Sequence, residues 1–369
     1  MTGTPVLPLT YDECRARFRR AAAQAGARTE AHPIEARGPH GQDLTIDVAV
    51  VGATAPVRAL TVLSGVHGVE GFVNSQLQVD LLGRLASSPP PDDVAVVLVH
   101  AVNPWGMAWW RRQNESNVDL NRNWRRSEVE PVHNDPYDEL HPLACPDTPD
   151  LPSVDDLLDR AMALVEERGL TWVRDAITVG QYRHPDGLHY GGARTEASNL
   201  VLEQVVIRHL RGVEHSLVLD LHTGHGPSGR ITLLSDEPEG TPQDRFLRER
   251  FGTDRVLATV ANPDATTATK SGQIGSGFAD LLPGTVHHAT SVEFGTVPDD
   301  AQLVATYLES WVARHGDRSD PDHLAAVWAY RDCFTPPDPA WEATCLLGGA
   351  ALLDDAVAAV AVVATWPTP

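Results

Sequence analysis

Imidazole and carboxylate side chains stand at two points where a buried strand is expected to end. His67 and Glu70 lie three residues apart in "SGVHGVEG", directly after the apolar run "RALTVLS". His222 follows a second apolar run, "SLVLDL". Two imidazoles and one carboxylate supply three protein ligands for Zn²⁺ and leave a fourth position for water, the pattern of a catalytic site. The sequence therefore predicts one zinc ion per chain, held by His67, Glu70 and His222.

A further carboxylate, Glu293, lies near the end of a third predicted strand, in "TSVEFGT". Bound Zn²⁺ lowers the pKa of its water to about 7, and a nearby carboxylate can then take the proton during attack on a carbonyl carbon. We predict this general-base role for Glu293, provided that its strand neighbours that of His222. Asp220 lies on the same side of its strand as His222 and is a candidate partner for an imidazole; an aspartate bonded only to backbone is the alternative.

The stretch "WWRRQNESNVDLNRNW", residues 109–124, concentrates arginine and asparagine side chains among tryptophans. Guanidinium groups beside amides suit bidentate binding of a carboxylate and stabilisation of an oxyanion. A solvated, turn-rich loop is the alternative interpretation, because Asn and Asp favour turns.

Apolar segments that alternate with helix-like segments must position these residues. The expected strands are 43–52, 58–66, 92–104, 215–226, 230–236 and 287–296, and the expected helices are 10–25, 71–86, 153–168, 196–211, 241–252 and 299–315. This alternation predicts an α/β fold with a mixed, mainly parallel central sheet flanked by helices on both faces. Ligands of such sheets bind beyond the carboxyl ends of the strands, where the polar clusters fall.

The chain shows no internal repeat and no linker, so we expect residues 1–369 to form a single domain. Residues 125–153 are rich in Pro, Asp and His and predict a long loop at the rim of the site. Residues 316–369 predict a helical C-terminal extension with two helices.

Composition excludes several classes of function. The formal charge of −21, from 50 acidic and 29 basic residues, repels phosphate backbones, so we expect no nucleic-acid partner. No apolar run of about 18 residues and no signal-like N-terminus are found, so we expect no membrane partner and a cytoplasmic protein. The four cysteines are widely spaced and predict neither a disulfide framework nor a thiolate zinc site. No oligomeric state is predicted.

The segments "HGVE", "WWRRQNESNVDLNRNW", "DLHTG" and "VEFGT", in this order, resemble the zinc carboxypeptidases of the M14 type. The closer resemblance is to their bacterial branch DUF2817, and it extends from about residue 10 to residue 365. It implies a zinc-carboxypeptidase-like fold. It also implies that His67, Glu70 and His222 are the zinc ligands and that Glu293 is the general base.

The same resemblance implies how substrate is bound. Asn121 and Arg122, in "DLNRN", match the pair that holds the terminal carboxylate of the substrate. Arg111 matches the arginine that polarises the scissile carbonyl group. Arg112 is its neighbour and is counted with the substrate-binding residues, and a swap of the two roles stays open.

One feature departs from the family pattern. Well-known carboxypeptidases have a mobile tyrosine between the last histidine ligand and the base, whereas residues 223–292 contain no tyrosine. The segment "TKSGQIGSGFADLLPG", residues 269–284, occupies this region, and we expect it to form a different lid.

These features predict a zinc-dependent hydrolase that cleaves an amide bond next to a free carboxylate, in the manner of a carboxypeptidase, on a small peptide substrate. A zinc-dependent deacylase of N-acyl amino acids is the alternative, because it needs the same carboxylate-binding groups. A non-catalytic zinc-binding module on the same scaffold is a second alternative. A serine hydrolase is not expected, since GxSxG is absent. "GHGPSG" fits GxGxxG, but Pro227 interrupts it and a strand-like stretch follows.

Overall fold

The computed structural model describes residues 7–124, 133–259 and 270–362. The strands in these ranges, numbered in chain order, are β1 (Arg28–Arg37), β2 (Asp43–Gly52), β3 (Arg58–Ser64), β4 (Val94–His100), β5 (His215–Gly224), β6 (Ile231–Ser235), β7 (Val256–Ala258) and β8 (Val286–Gly295). They form one sheet in the order β1-β2-β4-β3-β5-β8-β6-β7. The pairs β3–β4, β3–β5, β5–β8 and β6–β7 are parallel and the other three are antiparallel.

Helices cover both faces of this sheet. In chain order the helices of the described ranges are α1 (Tyr11–Gln24), α2 (Gly71–Ser87), α3 (Pro104–Trp109), α4 (Asp135–Ala144), α5 (Val154–Arg168), α6 (Leu170–Thr178), α7 (Ala197–His209), α8 (Pro242–Phe251), α9 (Ile274–Gly277), α10 (Asp299–His315), α11 (Pro321–Phe334) and α12 (Pro339–Ala361). Side chains of α1, α2, α8 and α12 pack on one face, and those of α7 and α9 on the other. The predicted mixed, mainly parallel α/β fold is confirmed.

The neighbouring interior strands β3 and β4 are buried at every position. Parallel strands covered by helices on both faces are apolar along their whole length, which is why "RALTVLS" and "VAVVLVH" were recognisable in the sequence. β1 was missed, because its alternate residues are exposed and Pro33 interrupts its pattern. An edge strand tolerates proline, since one side of it makes no ladder bonds.

The predicted loop 125–153 is wrong over residues 135–144, which form α4. The Asn134 side chain caps this helix by accepting a hydrogen bond from the Tyr137 backbone N–H at 3.3 Å. Pro136 lies in the first turn, where its missing N–H costs no helical hydrogen bond. Residues 125–132 of the prediction lie outside the described residues.

The predicted C-terminal extension is helical in α11 and α12, and residues 363–369 lie outside the described residues. In the described part of the chain, α12 alone is long and apolar enough to cross a membrane, by length and composition. Its Trp341, Leu352 and Val360 are buried in the core on one face of the sheet. In this fold, therefore, α12 is a core helix rather than an appendage.

Candidate metal centre

The parallel neighbours β3 and β5 bring the predicted metal ligands together. Ser64 at the end of β3 pairs with Leu221, so His222 lies beside the turn that follows β3. That turn carries His67 and then a single 3₁₀ turn that ends at Glu70. The ligand atoms of His67, Glu70 and His222 all lie within 4.8 Å of one another, and all three residues are buried.

Both imidazoles direct Nδ1 toward Glu70. His67 Nδ1 lies 2.9 Å from Glu70 Oε1, His222 Nδ1 lies 2.9 Å from Glu70 Oε2, and the two Nδ1 atoms are 3.1 Å apart. Burial opposes the charge on Glu70, yet the charge of His67 and the hydrogen bonds of both histidines lower the pKa of Glu70. Two nitrogens and a carboxylate that converge in a buried space are donors that suit Zn²⁺ and also accept other divalent ions.

Two aspartates hold the other nitrogen of each imidazole. Asp119 Oδ1 lies 3.2 Å from His67 Nε2, and Asp220 Oδ2 lies 2.7 Å from His222 Nε2. A carboxylate on one ring nitrogen fixes the tautomer and leaves the other nitrogen as a metal ligand. The contact predicted for Asp220 is therefore present. Asp119 was missed, although it lies in the same "DLNRN" motif as Asn121.

Asp119 also ties the centre to its surroundings. Its Oδ2 atom accepts a hydrogen bond from Arg112 Nε at 3.1 Å and lies 3.1 Å from His189 Nδ1. Burial alone would raise the pKa of Asp119, but the charges of Arg112 and His67 hold it well below its usual range. The aspartate therefore stays ionised and anchors three cationic or polar groups at once.

Glu293 lies on β8, the strand next to β5, and its Cα pairs with that of His222. The condition set for Glu293 as a general base, that its strand neighbours the strand of His222, is therefore met. The carboxylate is half-buried and accepts a hydrogen bond from the His225 backbone N–H at 3.4 Å. Glu293 and the three candidate metal ligands line the same cavity, whose volume is about 370 Å³.

The two adjacent arginines point to different sides. Arg112 lines the cavity and contacts Glu70 at 3.3 Å and Asp119 at 3.1 Å. Arg111 does not line it, and its Nε forms an ion pair with Glu309 of α10 at 2.9 Å. Arg111, predicted as the catalytic arginine, thus lies against Glu309 rather than in the cavity lining, whereas its neighbour Arg112 lies in that lining.

Asn121 and Arg122 both line the cavity and are buried. Arg122 donates to the backbone carbonyls of Asn121 at 2.9 Å and Thr178 at 2.8 Å. Among the described residues it forms no ion pair with a carboxylate, and its Nε has no hydrogen-bond partner there. Burial, with Arg112 as a neighbouring like charge, lowers the pKa of Arg122. A buried guanidinium group without a carboxylate favours binding of an anion.

The family model DUF2817, described as a protein of unknown function, matches residues 8–347. The chain belongs to the DUF2817 family. No curated protein matches the sequence.

Several solved structures are similar to this DUF2817 protein at low sequence identity. One is carboxypeptidase A from Helicoverpa armigera, with 12% identity over 89% of this chain and 74% of that chain, at a TM-score of 0.46. Another is bovine thrombin-activatable fibrinolysis inhibitor in complex with tick carboxypeptidase inhibitor, with 10% identity over 84% and 98% and a TM-score of 0.46. A third is a metallo-carboxypeptidase from Burkholderia cenocepacia, with 17% identity over 84% and 70% and a TM-score of 0.38.

The segment expected to form a lid in the DUF2817 protein is anchored over residues 270–284, and Thr269 lies outside the described residues. Ile274 donates its backbone N–H to Asn121 Oδ1 at 2.8 Å, and the side chains of Ile274 and Phe278 are fully buried. This part of the segment therefore packs as a wall of the cavity rather than as a lid.

Lys270, the only lysine of the chain, lies in this wall and lines the cavity. Burial, with Arg122 as a like charge, lowers the pKa of Lys270 to about 8. It was not predicted as a site residue, because a single lysine beside a loop carries no pattern. Its presence adds a further positive charge to a cavity that already holds Arg112 and Arg122.

A second histidine group lies outside this cavity. His141, His184 and Asp186 have ligand atoms within 4.8 Å of one another. The two rings are stacked, with centroids 4.0 Å apart and planes at 20°. A metal ion lies near the plane of each imidazole that binds it, so stacked rings in this arrangement do not share one ion.

Proposed function

We propose that this DUF2817 protein is a zinc-dependent hydrolase that cleaves an amide bond next to a free carboxylate, in the manner of a carboxypeptidase. The observation that carries the proposal is the convergence of His67, Glu70 and His222 beside Glu293 in one cavity. Arg122, a buried cation without a described carboxylate partner, accounts for the free carboxylate of the substrate.

His67, Glu70 and His222 would hold the ion through Nδ1, Oε and Nδ1 atoms, with Asp119 and Asp220 orienting the rings. When bound, Zn²⁺ polarises a carbonyl oxygen and lowers the pKa of a water molecule. These three side chains fit Zn²⁺ because two imidazoles and one carboxylate are typical ligands of this ion, and the cavity has room for a further ligand.

The remaining residues position substrate and move the proton. Asn121 and Arg122 bind the terminal carboxylate, and Arg112 donates hydrogen bonds to the oxygen on which negative charge develops. Glu293 takes a proton from the attacking water and delivers it to the leaving amine, so that the amide gives a carboxylate and an amine. Arg112 takes this role in place of Arg111, because only Arg112 lines the cavity.

The experiment compares wild type with Glu293→Gln, both loaded with Zn²⁺. We expect about one zinc ion per chain in both, measured by elemental mass spectrometry, and a turnover rate about 10²–10⁴-fold lower in the variant. Glu249→Gln, which changes an exposed glutamate on α8, is the matched control and should change neither quantity.

The compounds tested as substrates are peptides with a free C-terminus, peptides with an amidated C-terminus, and N-acyl amino acids. Cleavage restricted to N-acyl amino acids would favour the deacylase alternative, which uses the same groups. Absence of bound metal in the wild type, or full turnover in Glu293→Gln, would overturn the proposal. Bound zinc without turnover of any amide would leave the non-catalytic module.

A further inference from the structure

One face of α6 forms a wall of the cavity. Leu170, Val173, Arg174, Ile177 and Thr178 all line it, at the spacing of three and four residues that places side chains on one side of a helix. Arg174 on this face forms an ion pair with its neighbour Asp175 at 2.6 Å, so the charge of Arg174 is already paired with a carboxylate.

The wall continues into an apolar recess. Val173, Ile177, Leu188 and Leu303 line both the cavity and this recess. Its remaining lining residues come from α4, α5 and α10 and are leucine, alanine and one tyrosine, so no charged side chain lines it. A charged group entering this recess would lose its hydration without gaining a partner, whereas an apolar group would gain burial.

The recess lies next to the group that would bind the free carboxylate. Arg122 donates from Nη2 to the carbonyl of Thr178, the last residue of α6, at 2.8 Å. Ile177 directly precedes Thr178. A carboxylate held at Arg122 would therefore lie beside the end of α6 at which Ile177 lines the cavity.

We propose that Val173, Ile177 and Leu303 bind an aliphatic or aromatic side chain on the residue that carries the free carboxylate. The inference rests on the proposed function for the position of that carboxylate, and it adds the substrate class: amides of apolar amino acids. Acidic and basic residues at this position are disfavoured because the recess has no partner for their charge.

The test measures binding without turnover. The zinc-loaded Glu293→Gln protein is titrated calorimetrically with N-acetyl-leucine, N-acetyl-glutamate, N-acetyl-lysine and N-octanoylglycine. We expect N-acetyl-leucine to bind at least about tenfold more tightly than the two charged ligands. Equal affinities, tighter binding of a charged ligand, or no binding of N-acetyl-leucine would overturn the inference.

Two substitutions in the same background locate the effect. Ile177→Ala should weaken N-acetyl-leucine about tenfold or more, and Ile177→Asp should shift the preference from N-acetyl-leucine to N-acetyl-lysine. Met162→Ala, which changes an exposed residue of α5, is the control and should leave all affinities unchanged. A general loss of structure would not produce a preference of the Ile177→Asp variant for N-acetyl-lysine.

The outcomes separate this inference from the proposed function. Tight N-acetyl-leucine binding that depends on Ile177, in a protein whose wild type hydrolyses no amide, would uphold the recess and reject the hydrolase. Hydrolysis of amides without a preference for apolar amino acids would uphold the hydrolase and reject the recess as the binding site. If N-octanoylglycine rather than N-acetyl-leucine lost affinity in Ile177→Ala, the recess would bind the acyl group and the assignment would be wrong.

Discussion

Each imidazole of the candidate centre has its two nitrogens committed to different partners. Nε2 of His67 and of His222 faces an aspartate, while Nδ1 faces Glu70. Burial opposes a charged ring, but the charge and hydrogen bond of Asp220, together with Glu70, raise the pKa of His222 well above its usual range. Negative charge thus surrounds the nitrogens, an environment that also stabilises a bound cation.

Asp119→Asn should weaken zinc binding about 10–100-fold, because the amide no longer supplies a charge to orient His67. Competition with a chromogenic chelator measures the affinity. Asp47→Asn, another buried aspartate, whose partner is Arg19 at 2.8 Å, is the matched control. A similar loss of zinc affinity in both variants would show a general effect of removing buried charge.

The two neighbouring arginines give a matched pair. Arg112→Gln should lower kcat about 10²–10³-fold, because a donor to the developing oxyanion is lost. Arg111→Gln should instead lower the free energy of unfolding by about 3–5 kcal/mol, because it leaves the buried Glu309 without its partner. Steady-state kinetics and urea unfolding measure these effects. An equal loss of kcat in folded Arg111→Gln would return the catalytic role to Arg111.

Among the secondary-structure elements, the turn between β3 and α2 is constrained by a close approach of two backbones. A Cβ atom on Gly68 would lie 2.0 Å from the backbone carbon of Gly106, so this turn packs directly against α3. That contact holds the 3₁₀ turn of Glu70 against the helix that leads to Arg112. A residue with a side chain would separate the two elements.

Gly68→Ala should therefore lower the free energy of unfolding by about 1–3 kcal/mol, as overpacking does, and should also weaken zinc binding. Gly83→Ala on α2 has open space around the added Cβ and should raise the free energy of unfolding by about 0.5–1 kcal/mol, because alanine favours a helix over glycine. Chemical denaturation of both variants is the measurement. Unchanged stability and zinc affinity in Gly68→Ala would contradict this account of the turn.

Over the whole molecule, a net charge of −21 contrasts with a cavity lined by Arg112, Arg122, Arg174 and Lys270. Glu70, Glu293 and Asp299 also line this cavity, so its cations lie beside the candidate metal ligands and the candidate base, while the charges on the rest of the chain are mostly acidic. The cations of the cavity are the groups that would bind the carboxylate of the proposed substrate.

Acid stability depends on a buried histidine outside the cavity. His100, at the end of β4, lies 2.8 Å from Ser75 Oγ and stacks on Phe18. Burial lowers the pKa of His100 to about 3, so the folded protein keeps it neutral while the unfolded chain binds a proton below about pH 6.5. The free energy of unfolding therefore falls as the pH falls from about 6.5 toward about 3.

Between pH 7.5 and pH 5 this one group should remove about 2 kcal/mol from the free energy of unfolding. His100→Gln should lose about 2 kcal/mol less over the same interval, measured by urea unfolding at both pH values. The comparison is made with and without a zinc chelator, since the candidate ligands also bind protons. Identical pH dependence in wild type and variant would refute the assignment.

Features that depend on local pattern could be predicted from the sequence. The apolar runs of buried strands such as β3 and β5 are visible in the sequence, and polar residues at or just beyond their carboxyl ends must lie at the edge of the sheet, which led to the prediction of His67, Glu70, His222 and Glu293. The helices with a clear apolar face were predicted to within a few residues for the same reason.

Features that depend on partners distant in sequence could not be predicted from local pattern and are seen in the folded chain. Arg111 and Arg112 have the same chemistry, but Arg111 forms an ion pair with Glu309, almost two hundred residues later, on a side where it does not line the cavity. Asp119 became a partner of His67 when the fold brought its loop beside the turn after β3, and α6 became a cavity wall through its packing on α4 and α5. Local preferences do not encode such contacts, because their energy exists only when the chain has brought the partners together.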